Sequence, residues 1–496
     1  MARRERLRRA RRTLARLGAA GLVLVFAGPL HAQGPPEPQV AGGASPAVTP
    51  APAGLNLSAA QNPLLGGVVA GKATPGVLPL TLGEAIARGL RQNLGAVIGE
   101  QAIRSASASR LSALNGLLPN AYARLGESRE VVNLEAFGFP LPPGTDPLVG
   151  PFNVFDARIN VSQSLFNWSA IQAARAGGDS LRAAKFSYQD ARDAVVFVVS
   201  NLYLTAISSA SEVDSAQAQV KTSQALYDRA TDLKKAGMIP AIEVLRAQVQ
   251  LQAQQQRLIF FQNEYAKRKL GLARAIGLPL DQQFDLADKV PYAALASPAL
   301  EQALAQAYES RADLQAARAQ VRAAEESKQA AIGSALPTLG LTADIGKIGL
   351  TTASKLRTYS IAAGIRIPIF EGNTVRARVL QADAALRQQQ ALLEDLRARI
   401  DYEVRTALLD LKAADDRVQV ARTTVELANQ QLVQAQDRFS AGVASNIEVV
   451  QAQEAVATAS DNYIASLYAH NLAKISLARA LGIAEADAGR LLGGTK

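Results

Sequence analysis

The sequence predicts a membrane protein of mixed α and β structure, two repeated helix–β-hairpin–helix units that assemble as a trimeric 12-stranded β-barrel continued by a long α-helical barrel. Three observations lead there. The 496-residue chain opens with an export-type leader. A thirteen-residue segment recurs 205 residues further on. Strand-like runs of strict alternation stand directly before helical runs far longer than a globular core can bury.

The leader comes first. Residues 1–32 hold eight arginines and one glutamate, then an apolar run from Leu17 to Ala27 broken by Pro29, with Ala32 as the small residue suited to cleavage. That run is too short to cross a bilayer, which takes roughly 20 residues. Without the leader the formal charge falls from +10 to +3, so the basic balance belongs to export and not to a nucleic-acid face. No cysteine is present and the two histidines are His31 and His470, which removes thiolate chemistry and leaves little for histidine catalysis or zinc. No cofactor or metal is expected. After the leader no window reads as a transmembrane helix, so an exported chain of this kind is either periplasmic or a β-barrel.

Residues 33–79, rich in Pro, Gly and Ala, read as a disordered linker. Structure is expected to begin at Thr81-Leu82-Gly83-Glu84, a capping box in which Thr and Glu satisfy each other's orphan donors. From there the chain repeats. A-G-M-I-P-A-I-E-V-L-R-A-Q at 236–248 matches A-G-V-A-S-N-I-E-V-V-Q-A-Q at 441–453 in seven of thirteen positions, and A-R-A-I-G at 273–277 matches A-R-A-L-G at 478–482 in the same register. Leu118-Pro119 and Leu336-Pro337 correspond at an offset of 218, which places an insertion of thirteen in the first copy.

The first unit spans 80–277, with a hairpin at 119–166 and a tip turn at 236–243. A connection, 278–297, leads to the second unit, 298–482, with a hairpin at 337–370 and a tip turn at 441–448, and 483–496 form a tail. Each unit opens with a helix (82–117 and 299–335) stopped by Leu-Pro. Two strands follow. In the first copy Phe155, Ala157, Ile159 and Val161 share one face and Asp156, Arg158, Asn160 and Ser162 the other. In the second, Tyr359, Ile361, Ala363, Ile365 and Ile367 oppose Thr358, Ser360, Gly364 and Arg366. Very long helices at 169–235 and 373–440 come next, then last helices at 241–276 and 446–481. Their Ala- and Gln-rich composition with a sparse stripe (Leu392, Leu396, Ile400, Val404, Leu408, Leu411) fits close side-by-side packing in a coiled-coil-like wall.

Four strands cannot close a barrel, and lipid tolerates no open edge. Two chains supply eight strands, whose interior side chains fill; three supply twelve and leave a lumen. A homotrimer is therefore the smallest pore. The competing reading of the helices is a periplasmic coiled-coil adaptor or structural protein, which leaves the two alternating hairpins unexplained.

The leader, the paired copies, the Leu-Pro before each hairpin and the twin turns A-G-x-x-x-x-I-E-V-x-x-A-Q together resemble the TolC-like outer-membrane efflux proteins, over residues 80–482. The resemblance implies a non-enzymatic trimeric conduit in the outer membrane of a Gram-negative bacterium, its helical part in the periplasm. It would embed in outer-membrane lipid and dock on a periplasmic adaptor and an inner-membrane pump. The turns would be the periplasmic tips, where the adaptor docks and the tunnel constricts. Gly237 and Gly442 suit the left-handed end of a helix. Glu243 and Glu448 match the acids that ring the constriction, although the helix dipole favours a first-turn acid in any case. Arg246 and Gln451 stand where relatives carry a second acid, and Phe439 and Ala444 match the aromatic and basic positions of a closed-tip lock. Phe439 has no hydroxyl and Ala444 no base, so the closed tip is expected to rest on apolar packing; Arg246 neutralises the first-copy half of the ring, and the second, with Gln451 in the equivalent place, is expected to remain acidic.

Overall fold

In the structure, a computed structural model, residues 62–138, 142–288, 292–295, 298–441 and 443–491 are described. The leader with Ala32, positions 33–61 of the linker and Gly442 lie outside them. The described residues belong to one unit, 57–496.

Residues 62–80 depart from the expected disorder. A 3-10 turn at Pro63–Leu65 is capped by Asn62, and strand β1 (Leu78–Leu80) pairs in parallel with β4 (Phe284–Leu286). The connection between the repeats thus carries structure of its own. Strands of three residues show no alternation, which is why composition alone reads as linker. Thr81 then caps α1 (Leu82–Gln92), with both halves of the capping box formed.

The expected single helix over 82–117 is two helices, α1 and α2 (Leu94–Leu114). Asn93, wholly buried between them, accepts from the Gly95 amide at 2.9 Å and donates to the carbonyls of Leu64 and Ala275 at 2.7 and 3.0 Å. Those long-range bonds hold an extended backbone at a residue that would otherwise continue the helix. The second copy breaks at the equivalent place, between α5 (Leu300–Ser310) and α6 (Ala312–Gly333), where Arg311 is extended and buried.

Strands β2 (Asn120–Asn133), β3 (Leu148–Phe166), β5 (Thr338–Gly349) and β6 (Leu356–Arg366) form one antiparallel sheet in the order β2-β3-β5-β6. The alternation is realised: Ile159, Ile345, Tyr359, Ile361 and Ile365 stand exposed on one face. On the other, Arg158 bonds Asp156 at 2.9 Å and Asp344 at 2.7 Å. Among the described residues, the outer strands β2 and β6 have no partner along their free edges.

Helix α3 (Trp168–Lys235) leaves β3 and at ~1.5 Å per residue runs roughly 100 Å to the first tip, returning as α4 (Ala241–Ala275). Helices α7 (Thr374–Ser440) and α8 (Asn446–Leu481) repeat the plan. Gly277 and Gly482, with φ of 64° and 73°, end α4 and α8 in the left-handed region, so the repeated A-R-A-[IL]-G is a helix stop. The core lies where the shorter helices pack on the middle of the long ones. Tyr203, Val195 and Val199 of α3 meet Leu80, Leu82, Leu272, Ile276 and Phe284, and Ile400, Val404 and Leu411 of α7 meet Leu314, Leu477 and Leu481. The α7 stripe is confirmed except at its start, where Leu393 is buried and Leu392 is 52% exposed.

Contrary to the reading that no later window is apolar enough, α3 contains a segment that by length and composition could cross a membrane. Val195, Val196 and Val199 of this helix are fully buried, so part of that apolarity belongs to the subunit core. The tail also carries structure: α9 (Ala484–Leu491) packs its buried Ala484 near Val196, and Glu485 pairs with Arg192.

Candidate functional site

The two tips lie at the ends of α3 and α7 far from the sheet. In the first, Lys234 and Lys235 occupy the last helical turn, where cations complement exposed carbonyls. Gly237 takes a φ of 72°, and the Gly237 and Met238 amides fold back to Lys234 O and Leu233 O at 2.9 Å each. A side chain at position 237 would strain that turn. Pro240 opens α4, and Glu243 sits in its first turn. The second tip follows the same course: Ala441 and Val443 donate to Asp437 O and Arg438 O, and Glu448 lies in the first turn of α8.

The acids are both paired, by different means. Glu243 accepts from Arg246 Nη1 at 2.7 Å, the contact expected from their spacing of three. Glu448 was expected to remain without a base. Instead Arg438, on the last turn of α7, places Nε 3.3 Å from its carboxylate. The base comes from the facing helix of the hairpin, not from position 444 or 451, and Gln451 and Ala444 make no polar contact with it among the described residues. Position 438 corresponds to Leu233 in the first copy, so the repeat comparison gives no hint of it.

Phe439, matched to a lock residue, is 6% exposed and forms the tip's apolar core with Leu226, Ala435, Val449 and Ala452. Within the subunit it holds α7 against α8 and α3 and does not present its ring at the surface. Asn446 is a further component that the sequence reading missed. Fully buried, it donates from Nδ2 to the Glu243 carbonyl at 3.2 Å and so ties the start of α8 to the start of α4. Its only sequence signal is an Asn two residues before the acid where the first copy has Ala241. Gln250 and Gln254 of α4 and Gln453 of α8 are buried as well.

A two-faced sheet with open edges at one end of ~100 Å helical hairpins, and paired acid-bearing turns at the other, define the wall segment of an outer-membrane channel. The chain belongs to the outer membrane efflux protein family, which it matches over residues 100–278 and 303–483. It is 27% identical over 404 residues to the pyoverdine export outer membrane protein OpmQ of Pseudomonas aeruginosa, across 79% of this chain and 82% of that protein. Over 344 residues it is 21% identical to the outer membrane protein TolC of Salmonella enteritidis, across 66% and 69%. The fold is that of VceC from Vibrio cholerae, with a TM-score of 0.71 at 19% identity over 81% of this chain and 96% of that one. The protein is an outer-membrane efflux channel subunit of a family that works within tripartite efflux systems, and the coiled-coil adaptor reading is not favoured.

Proposed function

We propose that three copies close a 12-stranded barrel and a continuous helical tunnel that conducts substrates from periplasm to exterior, docked at its tips on a periplasmic adaptor and an inner-membrane pump. One observation carries the trimer. The sheet is apolar on one face, ion-paired on the other and unpaired along β2 and β6, a combination that is stable in lipid only when those edges meet in a closed ring. In this reading the loops at 133–151 and 351–355 face the exterior. Gly237 and Gly442 belong to the adaptor-docking tips, and Glu243, Arg246, Arg438, Glu448 and Gln451 surround the constriction. Phe439 supports that ring from within the subunit. Mass measurement of the purified protein in detergent should give three chains; a stable monomer or dimer overturns the reading.

A further inference from the structure

The apolar face of the sheet ends abruptly toward the hairpin tips. On β5 and β6 the side chains of Ile345, Tyr359, Ile361 and Ile365 line it, and one pleat further toward the tips Lys347 stands directly across from Arg357. Like charges in such a cross-strand pair repel. Lys355 follows one pleat further toward the tip, beside Gly349, its ammonium 5.4 Å from the centroid of the Phe155 ring. Among the described residues no carboxylate pairs with any of the three, and β6 has no acidic residue at all. The nearest acid on this face of β2, Glu127, is engaged instead by Asn153 at 3.5 Å. The bases rim a cavity of about 540 Å³ whose floor includes Leu125, Ala157 and Ile159.

We propose that this cluster binds the phosphate-bearing headgroup of an outer-leaflet lipid, with its acyl chains laid along Ile345, Tyr359 and Ile361; the leaflet assignment rests on the exterior placement of the tips. Charge complementarity names the ligand: three unpaired cations, one of them a guanidinium able to make two parallel bonds, call for a multiply charged oxyanion. Position names its source. A base immediately beyond the aromatic and aliphatic band sits at headgroup depth, and the apolar floor accepts what a free phosphate lacks. A bound anion also removes the Lys347–Arg357 repulsion, so the headgroup would stabilise the upper edge of the barrel.

The test uses the purified full-length assembly, stripped of lipid in detergent and titrated with lipid A and with enzymatically dephosphorylated lipid A. Wild-type protein should bind lipid A at least about tenfold more tightly than the double variant Lys347→Gln, Arg357→Gln, since two charge-assisted contacts are lost. The dephosphorylated lipid should bind both alike, and inorganic phosphate should not displace lipid A. The charge-keeping exchange Lys347→Arg, Arg357→Lys should retain binding, which separates charge from misfolding. Equal lipid A affinity in wild type and double variant overturns the proposal, and full displacement by inorganic phosphate makes the site one for free anions. If the double variant loses subunit association with lipid binding unchanged, the bases serve the neighbouring subunit instead. The titration is blind to which side the tips face. Binding by a channel whose tips label as periplasmic would keep the headgroup site and overturn only the leaflet.

Discussion

Arg438 and Glu448 are 59% and 45% exposed as side chains, so the pair contributes below about 1 kcal/mol to stability, and its interest is charge. With Arg438 present, Glu448 has a paired base as Glu243 has in Arg246. Removing Arg438 strips only the second-copy half. Arg438→Ala should therefore raise cation preference several-fold in planar-bilayer recordings, and Glu448→Gln should lower it, with subunit assembly and melting temperature little changed in either. Unchanged selectivity in both variants would place the pair on the outer wall and end its assignment to the constriction. Glu243 with Arg246 was legible in the sequence because a spacing of three on one helix fixes their proximity. Arg438 was not, because the pairing crosses a turn and depends on how two helices face each other. The burial of Phe439 was not legible for a related reason: an aromatic position identifies a residue type, while its packing depends on Leu226 and Val449 from other helices.

The elements that were read well carry their period along many residues. The strands alternate over ten or more positions and the long helices hold a sparse stripe through several turns. The breaks at Asn93 and Arg311 escape such reading, since both residues are compatible with a helix and the interruption is imposed by partners far away in sequence. Arg311 illustrates this: its guanidinium bonds Asp313 at 2.6 Å and Glu403 of α7 at 2.5 Å, pinning the α5–α6 joint to the long helix. Burial alone would raise the Asp313 carboxyl, but the Arg311 hydrogen bond and charge outweigh it and hold the group below its ordinary value. A carboxylate depressed in the folded state stabilises fully above its unfolded value, roughly pH 4, and that contribution is lost as pH falls through the folded value. Asp313→Asn should thus melt lower than wild type at neutral pH, and the gap should narrow on acidification. Circular-dichroism melts across the range check this; a constant gap would show that the ion pair is not its source.

At the scale of the molecule, the sheet and the tips occupy opposite ends of the same long helices, so fixing the side of one fixes the other. Single cysteines at Thr145 and Ala236 should differ in intact cells, the first labelled by an impermeant reagent and the second protected. The reverse pattern would invert the proposed topology. The β1–β4 pair has another consequence. Bringing Leu78 beside Phe284 closes a circuit of some two hundred residues, at an entropic cost of roughly 5 kcal/mol that a three-residue ladder does not offset. The surrounding core does. Thirteen of its fourteen buried members precede residue 287, and only Ile475 comes from the second copy. A chain synthesised from its N-terminus therefore holds nearly every part of this clasp while its second repeat is still unmade. The contour of the chain thus lets the first repeat latch on itself without waiting for the second.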